Sequence, residues 1–187
     1  MGKVIIGMTT SLDGYIEDKK GGIRSLYPDL KELRKTEMLQ EAIKNTGAVV
    51  MGRHAYDMAP DADWYVDNYE FQTPIFVLTH KPPRKHPKES DQLKFIYVKD
   101  GIQSAIRQAK EAAGEKDVTV IGGASTFQQC INAGLCDEIQ MGIMPVLLGG
   151  GLRLFQKTNG KSPVKLEKVK VFEAMPERVD IVYKVVK

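Results

Sequence analysis

Cysteine is nearly absent from the chain: Cys130 and Cys136 are the two among 187 residues, and no second Cys/His cluster stands near them at metal-ligand spacing. A zinc site is therefore not expected, and two free thiols in a reducing cytoplasm are. Long apolar runs are missing too. The opening stretch Val4-Ile-Ile-Gly-Met8 is too short for a signal-peptide core or a membrane span and carries no cleavage pattern, which points to a cytoplasmic protein without a membrane partner. Nor does one sign of charge dominate. The 27 basic and 24 acidic residues leave a net +3 spread along the length, so no field exists to hold a polyanion and nucleic acid is not an expected partner.

The one basic concentration, His80-Lys-Pro-Pro-Arg-Lys-His-Pro-Lys88, is too proline-rich for a helix or strand interior and reads as a surface loop. An apolar share of 42% and a charged share of 27% are those of an ordinary globular chain, and no linker divides it. A single domain over residues 1–187 is the expectation.

What is present alternates strands with helices. Residues 4–9 form a β-branched apolar run that ends at Ser11-Leu-Asp-Gly14 and reads as a buried strand feeding a turn. From Leu30, the residues Leu33, Ala42 and Ile43 recur at helical spacing until Asn45 and Gly47, predicting one amphipathic helix. Ala48-Val-Val-Met51 is the next strand, and a strand–helix–strand order predicts a parallel pair between it and the first. Residues 74–78, 95–98 and 118–121 are further strands. Ile102, Ala105, Ile106, Ala109 and Ala113 paint one stripe on a helix ended by Gly114.

Beyond Gly134 the period changes to alternation through Ile139, Met141 and Ile143, then Val169 and Val171, then Val179, Ile181 and Tyr183. The architecture expected is an α/β three-layer sandwich around a mixed, mostly parallel sheet with an antiparallel C-terminal edge. The triple glycine in Pro145-Val-Leu-Leu-Gly-Gly-Gly-Leu152 suggests a loop whose backbone approaches something closely.

Three strand ends carry groups suited to phosphate. At Ile121, Gly122, Gly123, Ala124, Ser125 and Thr126, a strand passes through two glycines into a helix whose first-turn amides lack intrahelical acceptors and carry the positive end of the dipole. The same six residues also read as a tight turn of any α/β protein. In Val49-Val-Met-Gly-Arg-His-Ala-Tyr56, a buried strand ends at Gly52 and delivers Arg53 and His54 beyond its carboxyl end, where open sheets collect ligands. Thr79, His80 and Lys81 end another strand with a hydroxyl and two potential cations, a set suited to an adenosine 2′-phosphate. Taken singly, Arg53 also reads as a surface cation, His54 as a satisfied turn histidine and the basic loop as merely solvated.

Together with Met8-Thr-Thr-Ser-Leu-Asp-Gly-Tyr-Ile16, these motifs resemble the dihydrofolate reductase superfamily. Ser11-Leu-Asp-Gly14, Gly134-Leu-Cys-Asp-Glu138 and the 145–155 segment bring the chain nearest the bacterial branch that holds the reductase domain of riboflavin-biosynthesis RibD proteins. The resemblance implies NADPH as cofactor. Gly52, Arg53, His54 and Ala55 would hold its pyrophosphate from one side and Gly122, Gly123, Ala124, Ser125 and Thr126 from the other. Thr79, His80 and Lys81 would take the 2′-phosphate, while Thr9 and Ile16 would flank the nicotinamide. A cis peptide between Gly122 and Gly123 is implied as well.

The implied substrate is a heterocycle of pterin or phosphoribosylamino-pyrimidine type. The implied acid is Asp29 in Tyr27-Pro-Asp-Leu30, which equally suits a helix N-cap, with Glu32 three residues on. Asp13 divides in the same way between a turn residue and a member of the loop over the nicotinamide. Residues 57–70, with Trp64 among carboxylates, have no counterpart in dihydrofolate reductases proper; Trp64 either lines a pocket or anchors the loop. No deaminase-type His/Cys motif is present, so the reductase module stands alone. The apolar segment Ile143-Met-Pro-Val-Leu-Leu148 suggests a covering second copy and hence a homodimer. A non-catalytic NADP-binding sensor or assembly module is the alternative to an enzyme.

Overall fold

The computed structural model of the chain describes residues 2–28, 30–155, 163–173 and 175–187. Its strands are β1 (Val4–Ser11), β2 (Tyr15–Glu17), β3 (Thr46–Gly52), β4 (Ile75–Leu78), β5 (Phe95–Val98), β6 (Asp117–Ile121), β7 (Glu138–Met144), β8 (Leu152–Arg153), β9 (Leu166–Phe172) and β10 (Val179–Val185). Eight of them form one sheet in the order β5-β4-β3-β6-β1-β7-β10-β9, parallel through β7 and antiparallel at the last two strands. β2 and β8 pair separately. Val and Ile dominate the central strands because side chains stiff at χ1 fit a pleated surface covered on both faces.

The expected pairing of β1 with β3 is not made. β6 lies between them, with Ile6 and Val50 both in register with Val120. Val118 and Val120 are fully buried, and a strand this apolar is best placed with a neighbour on each side. Short apolar runs carry no record of neighbour order.

The helices are α1 (Leu30–Leu33), α2 (Glu37–Asn45), α3 (Arg53–Asp57), α4 (Tyr65–Asn68), α5 (Ile102–Ala113) and α6 (Ala124–Asn132). The single helix expected across α1 and α2 is broken at Thr36, whose backbone is extended (φ −65°, ψ 145°) and whose hydroxyl accepts from the Leu39 amide at 3.4 Å. The same hydroxyl donates to the Leu33 carbonyl at 2.8 Å, so Thr36 serves both helix ends at once. Helical spacing is retained across the break, which is why the pattern conceals it.

α5 and α6 cover one face of the sheet, and the predicted stripe of α5 packs with Phe127 and Cys130 on Val4, Ile6, Val50 and Val120. On the other face Tyr56, Tyr65 and Phe71 lie on Val49, Met51, Ile75 and Val77, with the Tyr56 and Tyr65 rings stacked at 5.4 Å. Cys130 and Cys136 are free and buried. A hydrogen bond with Cys136 that favours the neutral thiol, reinforced by burial, pushes Cys130 up from its ordinary value.

Segment 143–148 is only partly folded in: Met144 is buried and the Leu12 amide donates to the Val146 carbonyl at 2.9 Å, while Leu147 stands 69% exposed. Further uncovered apolar side chains lie along β9, where Leu166, Val169 and Val171 stand exposed on the edge of the sheet.

Candidate functional site

The carboxyl ends of the parallel strands open on one side of the sheet. At the end of β6, Gly122 adopts φ +53° and the Gly122–Gly123 peptide is cis. A Cβ on Gly122 would stand 2.8 Å from that of Ala55, and one on Gly52 would stand 2.5 Å from the Thr126 hydroxyl. The Gly52 amide donates to the Gly122 carbonyl at 3.0 Å, so the ends of β3 and β6 are pressed together where only glycine fits. α6 then begins at Ala124 without a side-chain cap; the Thr126 amide donates to the Gly123 carbonyl at 3.0 Å, which leaves those of Ala124 and Ser125 to a ligand or to water.

Two compartments lie over these strand ends. The larger, about 650 Å3, is lined by Gly52, Arg53, His54, Thr79, His80, Lys81, Gly123, Ala124, Ser125 and Thr126, together with Lys99 and Gln129. The smaller, about 340 Å3, is lined by Gly7, Met8, Ile16, Glu17, Ala55, Ile121 and Gly122, and beyond them by Tyr27, Arg34, Met51, Trp64, Tyr65, Tyr69 and Glu70. His54 and Gly123 belong to both walls, which makes the two compartments successive parts of one cleft. Trp64 both lines the cleft and packs edge-on against Tyr65, 5.6 Å between ring centroids, so the two readings of it are both met.

Several predicted residues have other tasks. Thr9 reaches neither compartment: it is buried, and its hydroxyl accepts from Arg178 Nη2 at 2.8 Å, while Gly7 and Met8 form the wall in its place. Arg53 lines the larger compartment, yet its Nε donates to the Asp57 carboxylate at 2.8 Å and its Nη1 to the Lys81 carbonyl at 2.6 Å, which fixes the start of the basic loop.

Asp13 lines neither compartment. Its carboxylate accepts from Ser11 Oγ at 2.6 Å, the Gly149 amide at 2.8 Å and the Leu148 amide at 3.1 Å. The Ser11 hydroxyl first, and then the two amides, lower it to about 2. Asp13 thus ties the triple-glycine loop to the β1–β2 turn. That loop approaches the chain's own backbone, since a Cβ on Gly151 would collide with the Glu17 carbonyl. Asp29 lies outside the described residues.

The structure also brings in residues that the motifs do not announce. Glu17 is buried beside Ile16 and meets His54 Nε2 at 3.1 Å, at the junction of the compartments. Arg34 donates through Nη2 to Glu70 at 3.2 Å and to the Asn68 carbonyl at 3.1 Å. Arg34 Nε and the Tyr69 hydroxyl are buried without hydrogen-bond partners. Burial raises the Tyr27 and Tyr69 phenols, so both stay protonated. Lys99, in the wall of the larger compartment, had a signal that these lack: it directly follows the end of β5, as the Thr79–Lys81 run follows that of β4. Among the described residues, no group of three or more His, Cys, Asp or Glu is placed to hold a metal ion, and no helix is long and apolar enough to cross a membrane.

The family described as RibD C-terminal domain matches residues 2–179. Uncharacterized protein YyaP of Bacillus subtilis (strain 168) is 26% identical over 176 residues, covering 92% of this chain and 90% of that protein. Among solved structures, a Shewanella sp. PV-4 protein assigned to riboflavin biosynthesis superimposes with a TM-score of 0.78 at 25% identity over 99% of both chains. Dihydrofolate reductase from Enterococcus faecalis, complexed with NADP(H), gives 0.62 at 19% identity, covering 100% of this chain and 98% of that one.

Proposed function

Since the chain belongs to the RibD C-terminal domain family, we propose that it is an NADPH-dependent oxidoreductase that reduces a C=N or C=O bond of a heterocyclic substrate, working as one domain. The observation that carries this reading is the continuous cleft: a compartment with glycine-lined and cationic walls joins an aromatic one through His54 and Gly123. The glycine cradle fits a dinucleotide, because a Cβ on Gly123, which lines the larger compartment at the start of α6, would project into open space that a backbone-hugging pyrophosphate can take, while Gly52 and Gly122 let the two strand ends close up beside it.

In this reading the first-turn amides of α6 and the His54 imidazole hold the pyrophosphate. Thr79, His80, Lys81 and Lys99 take the 2′-phosphate and select NADPH over NADH. Ile16, Ala55 and Gly122 bound the space for the nicotinamide, which when bound supplies the hydride. Asp29 is the proposed proton donor, being next to Leu30, whose side chain lines the aromatic compartment. Asp13 contributes by fixing the loop beside β2. The buried free thiols favour a reducing, cytoplasmic setting, and the apolar edge at β9 favours a homodimer.

Titrating the purified protein into NADPH, with NADH as control, tests the reading through nicotinamide fluorescence. Binding of NADPH below millimolar concentration, tighter than NADH, is expected; no binding would sink it. Binding with no oxidation of NADPH across heterocyclic substrates would leave a nucleotide-binding module instead of an enzyme.

A further inference from the structure

We infer that the aromatic compartment takes an unphosphorylated flat heterocycle with an amide-like edge and an apolar substituent, an inference that rests on the reductase reading and narrows its substrate. Four charge-bearing side chains stand in its wall among the described residues: Glu17, Glu70, Arg34 and His54. Each potential cation already faces a carboxylate. Arg34 meets Glu70 at 3.2 Å and His54 meets Glu17 at 3.1 Å. A phosphate dianion placed here would be repelled by both carboxylates in a partly desolvated space, where such repulsion is weakly screened. Uncommitted cations stand in the other compartment, at Lys81 and Lys99.

What the aromatic wall offers instead is neutral hydrogen bonding. Arg34 and Tyr69 belong to this wall, and Arg34 Nε–H and the Tyr69 hydroxyl are buried without partners; a buried polar group left unpaired is costly unless a ligand completes it. A ring carbonyl can accept from Arg34 Nε while a neighbouring ring N–H donates to the Glu70 carboxylate. That is the edge of a cyclic amide, and Tyr69 serves a further ring heteroatom. Trp64, Tyr65 and Met51 supply apolar surface for a flat ring.

The mouth points the same way. Ile23, Leu30 and Met58 are 36%, 40% and 42% exposed, and all three rim this compartment. Exposed apolar side chains gathered at one opening mark contact with an apolar group. A phosphoribosyl tail leaving by that mouth would meet hydrocarbon where it needs cations.

Trp64 is the sole tryptophan and sits in the wall, so its emission reports occupancy with or without NADPH. The probes are 6-methylpterin and the phosphate ester of 6-hydroxymethylpterin, which share a ring and differ in the charge of the substituent. 6-Methylpterin is expected to quench Trp64 with a Kd at least tenfold below that of the ester, and Arg34→Met and Glu70→Gln each to weaken it at least tenfold. Met58→Lys, at an exposed position, should narrow the gap by improving the ester. Equal or tighter binding of the ester by the native chain, or no quenching by 6-methylpterin, overturns the inference. A separate NADPH titration tells the failures apart: NADPH binding without 6-methylpterin binding overturns the substrate class alone, and the reverse overturns the reductase reading alone.

Discussion

At the level of single residues, the glycine junction was legible because its backbone demand leaves a mark in the sequence. Gly122 sits at φ +53° with no room for a Cβ before Ala55, and only glycine meets both conditions. Gly122→Ala is expected to destabilise the fold by about 1–3 kcal/mol through the left-handed backbone alone. It should also abolish NADPH binding, because the added methyl pushes α3 from the cradle; a thermal melt and a fluorescence titration separate the two effects. Lys81→Ala should weaken NADPH by roughly tenfold, the worth of one charge-assisted hydrogen bond, and leave NADH nearly unchanged. Equal losses for both cofactors would assign Lys81 a different task.

Arg34, Glu17 and Glu70 had no comparable mark. An arginine in the turn after a short helix, a glutamate at the end of a short strand and another just beyond a helix are ordinary surface residues until tertiary packing turns them toward one space. Thr9 shows the converse. It stands at the right place on β1, but Arg178, 169 positions away, claims its hydroxyl. No local pattern encodes that contact.

At the level of elements, strand and helix types followed from period, and the break at Thr36 and the insertion of β6 beside β1 did not. Period records which face a residue occupies, whereas capping and neighbour order depend on competing contacts. The loop tie at Asp13 is an element-level device with a pH signature. Its carboxyl titrates at about 2 in the folded chain against an ordinary 3.8, so the unfolded chain binds more protons between those values. Its contribution is fully present above about 3.8 and is lost as pH falls toward 2. Asp13→Asn should therefore move the midpoint of acid unfolding to higher pH and flatten the pH dependence across that window, as followed by circular dichroism. An unchanged profile would mean that the 149–151 loop is held by other contacts.

At the level of the whole molecule, the antiparallel end of the sheet and the cleft are joined through one buried ion pair. Arg178 and Asp180 are almost wholly buried, with Arg178 Nη2 to Asp180 Oδ1 at 2.9 Å, and Asp180 lies in register with Gly142, which lies in register with Thr9. A side chain at Gly142 would collide with the Arg178 guanidinium, so β7 gives up its side chain there to let the pair bridge β10 and β1. Such a pair adds little beyond what well-packed apolar residues would, yet removing one member strands a buried charge at a cost of about 3–5 kcal/mol. Arg178→Met should therefore lower the unfolding free energy read from a urea titration by that amount, and Asp180→Leu added to it should recover much of the loss. The link to the cleft runs through the Thr9 hydroxyl, next to Met8 in its wall. If the C-terminal hairpin positions β1, Arg178→Met should weaken quenching of Trp64 by 6-methylpterin even where the protein remains fully folded. If affinity is unchanged, the pair serves stability alone.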